Sequence, residues 1–160
     1  MRRTDREVTS FAELTDILRR ADTIRLGMHD EPYPYVVPLS FAFEAGEGKI
    51  ALYFHGAKEG LKHGPLARNP HVCVEADIFH GYAETPGGVT TRYESFIGFG
   101  KAVRVYGEEA AKGLDLLLAR CGHAGHAYDT AALEGTAVYR IELEEFTGKR
   151  NPAKSDSPRQ

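Results

Sequence analysis

At 160 residues the chain is long enough to bury a sizeable core within one domain. A hydrophobic share of 42% and a charged share of 27% are those of an ordinary globule, not of a disordered or fibrous chain. The formal net charge of −3, with no clustered basic stripe, argues against a nucleic-acid partner but leaves room for a local basic pocket facing a small anion.

The N-terminal charges of Met1-Arg2-Arg3 have no apolar stretch behind them, so no signal peptide is expected. No apolar run approaches the length of a membrane span, and the expected address is cytoplasmic, with no membrane partner. Ser10-Phe11-Ala12-Glu13 has the form of a capping box. Phe11, Leu14, Ile17 and Leu18 then recur at helical spacing, predicting a helix over 11–21. A strand follows over 23–29, and Asp30-Glu31-Pro32 reads as a turn. Over 33–44 Tyr35, Val37, Leu39, Phe41 and Phe43 alternate against Val36, Pro38, Ser40 and Ala42, as in a single strand. Proline at 34 and 38 marks that strand as an edge, a bulge, or a place where something other than a strand meets the backbone. Gly46-Glu47-Gly48 predicts a hairpin turn into a returning strand over 49–55. A short helix, or two pieces broken near Gly64-Pro65, is expected over 56–69, then a strand over 71–80.

The Gly-, Pro- and Thr-rich stretch 82–90 reads as a loop, and 91–106 as a long strand in which Gly98 and Gly100 mark a bend or a close backbone approach. Gly107 to Cys121 is amphipathic, with Ala110, Leu114, Leu117, Leu118 and Cys121 on one face. Ala137, Tyr139, Ile141 and Leu143 alternate through a last strand. The polar tail, 151–160, is expected to be disordered and outside the folded domain at 1–150. Roughly six strands in sequence-adjacent hairpins, without βα alternation, point to a mainly β fold: an antiparallel barrel with peripheral helices.

Several chemistries have no motif here. No phosphate-binding GxxxxGK[ST], GxGxxG or GxSxG occurs. Cys73 and Cys121 form no CxxC pair, which argues against a zinc ribbon or a redox dithiol. His123-Ala124-Gly125-His126 is half a metal site at a spacing common by chance, so no metal is expected. More informative is Tyr53-Phe54-His55-Gly56-Ala57-Lys58-Glu59-Gly60-Leu61-Lys62, where a strand ends at a histidine and a helix is expected to open. Lys58 and Lys62 would then share a helical face, either to hold a phosphate or as a solvated basic face. His55 is either satisfied by a neighbouring carbonyl or part of a site. Thr90-Thr91-Arg92-Tyr93-Glu94-Ser95 is either an exposed strand entry or a polar set aimed at a ligand.

Three of these stretches carry a resemblance. Tyr33-Pro34-Tyr35-Val36-Val37-Pro38-Leu39-Ser40-Phe41, then Leu52 to Gly60, then Thr91 to Ser95 with Gly98-Phe99-Gly100-Lys101-Ala102, together with the ending Glu145-Phe146-Thr147-Gly148-Lys149-Arg150, resemble the Nim-type 5-nitroimidazole reductases. Those reductases belong with the pyridoxamine 5'-phosphate oxidases in the FMN-binding split-barrel class. The resemblance covers roughly residues 1–150, and implies a homodimer with FMN in a groove between subunits. It places Val36, Val37, Pro38, Leu39 and Ser40 beside the flavin ring. Lys58 and Lys62 fall at its phosphate, Phe54 and His55 border it, and Ser95 stands where the oxidases carry a ring-touching glutamine. His55 matches the reductases' active-site histidine.

The chain departs from true pyridoxamine-phosphate oxidases. Tyr35 and Val36 stand where those begin the flavin strand with arginine, and Glu59-Gly60-Leu61-Lys62 replaces their Ser-Arg-Lys phosphate motif. The implied activity is FMN-dependent reduction of nitroaromatic or similar small molecules, with His55 catalytic. The competing readings are a non-catalytic flavin-binding protein and an oxidase of a B6 vitamer.

Overall fold

A computed structural model describes residues 3–129 and 134–151. One antiparallel sheet of eight strands carries the fold. In chain order the elements are a 3-10 turn (Thr4–Arg6), β1 (Glu7–Val8), α1 (Phe11–Arg20), β2 (Ile24–Met28), β3 (Tyr35–Leu39), β4 (Ala42–Gly46) and β5 (Lys49–Ala57). There follow α2 (His63–Arg68), β6 (His71–Thr85), β7 (Gly88–Val105), α3 (Gly107–Arg120) and β8 (Thr136–Asn151). The hydrogen-bonded order is β3-β2-β6-β7-β8-β5-β4, with β1 added to β8.

That order explains the curvature. β3 and β4 lie at opposite edges of the sheet, yet only Ser40 and Phe41 separate them in sequence. So short a link forces the two edges toward each other, and the sheet curls. Barrel closure also demands stagger between strands, and the pairings record it. Pro38 pairs with Arg25, which pairs with Glu75, which pairs with Ile97. Ala42, just past the link, pairs with Tyr53, which pairs with Arg140, which pairs with Val103. β3 and β4 are not hydrogen-bonded to each other, so the barrel stays split.

The interior follows from period-2 alternation. Leu26, Leu52, Phe54, Val74, Phe96 and Ile141 all turn inward and are fully buried. α1 lays Leu14, Ile17 and Leu18 into the same core. Gly148 permits that approach, because a Cβ there would run into the Leu14 side chain. α3 packs instead on the outer side of β4, β5 and β8, where Gly113 fits against the ring of Tyr53.

Several expectations need correction. The single strand predicted over 33–44 is two strands, and the chain changes sheet edges inside it. Ser10 makes no side-chain cap, so the capping box is not formed; Glu13 meets Arg150 instead, at 3.2 Å. The loop expected at 82–90 is a hairpin arm, because β6 and β7 stay paired out to Thr85 and Gly88. Asn151, assigned to the tail, is the buried last residue of β8; residues 152–160 lie outside the described residues.

Other expectations hold. The turn after Gly46 has positive φ at both Glu47 and Gly48, as a two-residue hairpin requires. Gly100 marks a close approach: the β7–β8 register shifts between Phe99 and Gly100, where β8 carries the extra residue Glu144, and a Cβ on Gly100 would collide with the Glu142 carbonyl. No helix is long and apolar enough to cross a membrane among the described residues.

Candidate functional site

The end of β5 gathers the groups with chemistry to offer. Alternation sends Phe54 inward, where it is fully buried and its ring stacks on Tyr139 with centroids 5.0 Å apart. The Phe54 side chain is therefore core, and only its backbone is available to a ligand. His55 points the other way, onto the face that α3 covers. It pairs with Val138 and borders a cavity of ≈ 200 Å³ walled mainly by Leu114, Leu117 and Leu118 of α3. Desolvation first, and the charge of Lys62 second, lower the His55 pKa below its usual 6.5. Both effects favour the neutral form of the imidazole.

The helix expected at Gly56 begins only at His63. Lys58 and Lys62 consequently do not share a helical face. Lys58 lies in the exposed bend after β5, where its backbone amide donates to the Gly135 carbonyl at 3.3 Å. Lys62 folds back over the strand end, and a Cβ on Gly56 would lie 2.6 Å from its Nζ. Glycine is thus what lets the ammonium lie over the strand end, from where its charge reaches His55.

His63, which sequence reading passed over, locks this arrangement. Its Nδ1 is 2.7 Å from the Tyr139 hydroxyl and its Nε2 is 2.8 Å from the Ala57 carbonyl. A neutral ring with its proton on Nε2 satisfies both contacts: Nε2–H donates to Ala57 and the tyrosine O–H donates to Nδ1. The sequence carried no signal for it, because Tyr139 lies 76 positions away.

β3 is an edge strand with one side unpaired, a place that tolerates Pro38. Val36, Pro38 and Ser40 face out, while Val37 and Leu39 pack against the core. Ser95 is half-buried on β7, paired with Asp77 and Lys149. His55 connects through Val138 to Val105, at the far end of the same strand. At about 3.3 Å per residue, Ser95 and Val105 are separated by roughly 30 Å of strand path. Within one chain the fold gathers His55, Lys58 and Lys62 but leaves Ser95 apart from them.

Glu94 fits neither sequence-based reading of its segment. It is buried and receives both Arg20 guanidinium nitrogens, at 3.0 and 2.8 Å, Arg150 at 2.8 Å and His80 Nε2 at 2.9 Å. It is an ion-pair hub tying α1, β6, β7 and β8 together. Among the described residues no group of three or more metal-ligating side chains is assembled; the rings of His123 and His126 are 6.2 Å apart.

Comparison with known proteins fits this architecture. A solved structure from Bacteroides thetaiotaomicron VPI-5482, a candidate 5-nitroimidazole antibiotic resistance protein, superposes with a TM-score of 0.80 at 28% identity, over 89% of this chain and 85% of that one. The flavocytochrome Anf3 from Azotobacter vinelandii has a TM-score of 0.74 at 19% identity, covering 90% of this chain and 68% of that one. An FAD- and heme-binding protein from Mycobacterium smegmatis has a TM-score of 0.75 at 21% identity, with coverages of 91% and 73%. The latter two likenesses are of fold alone. No curated protein matches the chain. The family model for pyridoxamine 5'-phosphate oxidase matches residues 10–150, from the start of α1 to the end of β8. As the motif resemblance implied, the chain belongs to the pyridoxamine 5'-phosphate oxidase family.

Proposed function

We propose that the chain is a flavin-dependent oxidoreductase that holds FMN and reduces nitroaromatic or related electrophilic small molecules. The observation that carries this reading is the disposition of Lys62. Its ammonium lies across Gly56 at the strand end, and its charge reaches the His55 imidazole, which borders an apolar cavity. Lys62 is in no ion pair among the described residues. A cation so placed suits the phosphate of FMN, and Lys58 in the neighbouring bend is its companion. The unpaired side of β3, from Val36 to Ser40, offers backbone groups to the polar edge of a ring. When bound, the flavin supplies the electron-transfer chemistry. The chain's own part is to bind, orient and protonate. His55 holds the acceptor within reach and passes it a proton. The 28%-identical relative tied to 5-nitroimidazole resistance supports the choice of acceptor.

Lys62→Ala is expected to weaken FMN by about 10- to 100-fold, the range of a charge-assisted hydrogen bond, and to leave riboflavin affinity unchanged. Lys58→Ala is expected to act in the same direction. Fluorescence titration with both flavins reads the difference. Equal weakening of FMN and riboflavin would mean a folding defect, and no change in either would return the lysines to a solvated face. Oxidation of a reduced nicotinamide by the FMN-loaded protein, dependent on an added nitroaromatic, separates an enzyme from a flavin carrier.

The proposal includes a two-fold dimer. The outer sheet face bears the row Val36–Gly27–Cys73–Phe99. Val36 is 56% exposed and Phe99 51% exposed, with Val103 nearby at 56%. A second copy is the natural cover for this face. Each groove would then draw on both copies, and the separation of Ser95 from His55 within one chain would cease to matter. Sedimentation at micromolar concentration should give a dimer, and Phe99→Glu a monomer that no longer retains flavin. A flavin-loaded wild-type monomer would overturn this.

A further inference from the structure

Arg104 has no role in the proposal so far, and its surroundings call for one. It stands on β7 opposite Tyr139, on the sheet face that also carries the stacked Phe54 and Tyr139 rings. Its guanidinium sits over the ring of Tyr106, 5.4 Å from the centroid. Its Nε is buried and makes no hydrogen bond. No carboxylate pairs with it among the described residues. Burying a guanidinium N–H without an acceptor is unfavourable, so the position demands an acceptor.

Space for one adjoins it. Arg104 borders a cavity of ≈ 420 Å³ walled by His63, Leu66, Pro70, Ala102 and Tyr139. The two polar neighbours are already engaged: His63 bonds Ala57 and Tyr139, and the Tyr139 hydroxyl bonds His63. The guanidinium is therefore the uncommitted donor of this cavity, and the other walls are mostly apolar. The Arg104 guanidinium is a planar fork of donors, and such a fork matches a carboxylate or a phosphate.

We propose that this cavity is an oxyanion subsite in which Arg104 grips the carboxylate or phosphate of a small organic molecule. Two sources share that chemistry: the phosphate tail of the flavin, and a separate anionic reactant. The subsite does not depend on the redox reading, because inorganic phosphate alone can probe it.

The experiment is calorimetric titration of inorganic phosphate into flavin-free protein, for the wild type, Arg104→Met, Arg104→Lys and Lys62→Met. Wild-type binding is expected in the millimolar range, weakened roughly tenfold or more by Arg104→Met. Arg104→Lys, which keeps the charge but loses the fork, should fall between the two. Retention of binding in Lys62→Met marks a subsite distinct from the lysine. If loading with FMN but not riboflavin abolishes the titration, the occupant is the cofactor's phosphate. If phosphate still binds the FMN-loaded protein, the occupant is a reactant. Absence of phosphate binding by the wild type, or equal binding by wild type and a folded Arg104→Met, overturns the proposal. Should Arg104→Met unfold, an Arg104→Lys variant with wild-type phosphate affinity and melting temperature overturns it equally. Failure of FMN to bind, with Arg104-dependent phosphate binding intact, would refute the flavin reading and leave this one standing.

Discussion

His55→Gln is expected to slow nitro-group reduction by about 10²-fold, the lower end of what a positioned acid or base contributes. Flavin affinity, dimerisation and flavin reduction by the donor should change far less. Glutamine fills similar space and still hydrogen-bonds, but it cannot carry a proton. The structure sharpens the pH dependence. Desolvation beside the α3 leucines, and then the charge of Lys62, hold the imidazole pKa below 6.5. A step that needs the protonated ring should therefore fall as pH rises through that lowered value, and be slow at neutral pH. Lys62→Met removes one of the two causes, so it should move this limb toward higher pH while desolvation still acts. Stopped-flow measurement of the two half-reactions between pH 5 and 8 reads both effects. An acceptor half-reaction unchanged in His55→Gln would take the residue out of the mechanism.

The second large effect concerns stability. Burial on its own would raise the Glu94 pKa, but hydrogen bonds from Arg20, His80 and Arg150 outweigh it and hold the value at about 2, against an ordinary 4.5. A carboxylate lowered in the folded state stabilises the fold above its unfolded pKa, and that contribution is lost as pH falls from about 4.5 to about 2. Its size at neutral pH is about 3 kcal/mol, from 1.36 kcal/mol per pKa unit. Glu94→Gln keeps the shape and removes the charge, leaving Arg20 and Arg150 without their shared partner. Urea unfolding at pH 7 should show a loss of about 3 kcal/mol, and the gap from wild type should close as the pH approaches 2. A loss below about 1 kcal/mol, or a gap that does not vary with pH, would mean the hub is no more than a surface ion pair.

The features legible in the sequence are those written in local periodicity. Leu14, Ile17 and Leu18 announced α1, and Tyr139, Ile141 and Leu143 announced β8, because each element buries a single face. Alternation reports which face is buried but not which strand lies alongside. For that reason 33–44 looked like one strand: Ser40-Phe41 contains no glycine or proline to mark the crossing. The one local trace is that Phe41 and Ala42 are both buried, which breaks the period. The hairpin arm beyond Phe79 was hidden for the opposite reason, since it projects with Tyr82 and Val89 exposed and needs no apolar alternation. The segment from His55 to Lys62 stands out in the sequence as a strand end, its roles are implied only by the family resemblance, and the room Lys62 takes over Gly56, inside β5, is visible only in the fold. The groups that fasten the site were out of reach. Glu94 meets Arg20 across 74 positions and His63 meets Tyr139 across 76, and no window of sequence contains either pair.

The place of β8 in the sheet has a consequence for biosynthesis. This last strand lies between β7 and β5, so Ala51 to Ala57 wait for Glu142 to Thr136 before they have a partner on that side. At a ribosomal pace of roughly 5–20 residues per second, the intervening stretch of about 80 residues takes several seconds to emerge. During that interval β5 presents an open, apolar edge that includes Leu52 and Phe54, the kind of surface that nascent-chain chaperones shield. A stalled or truncated product lacking β8 would keep that edge, and with it both halves of an unjoined barrel.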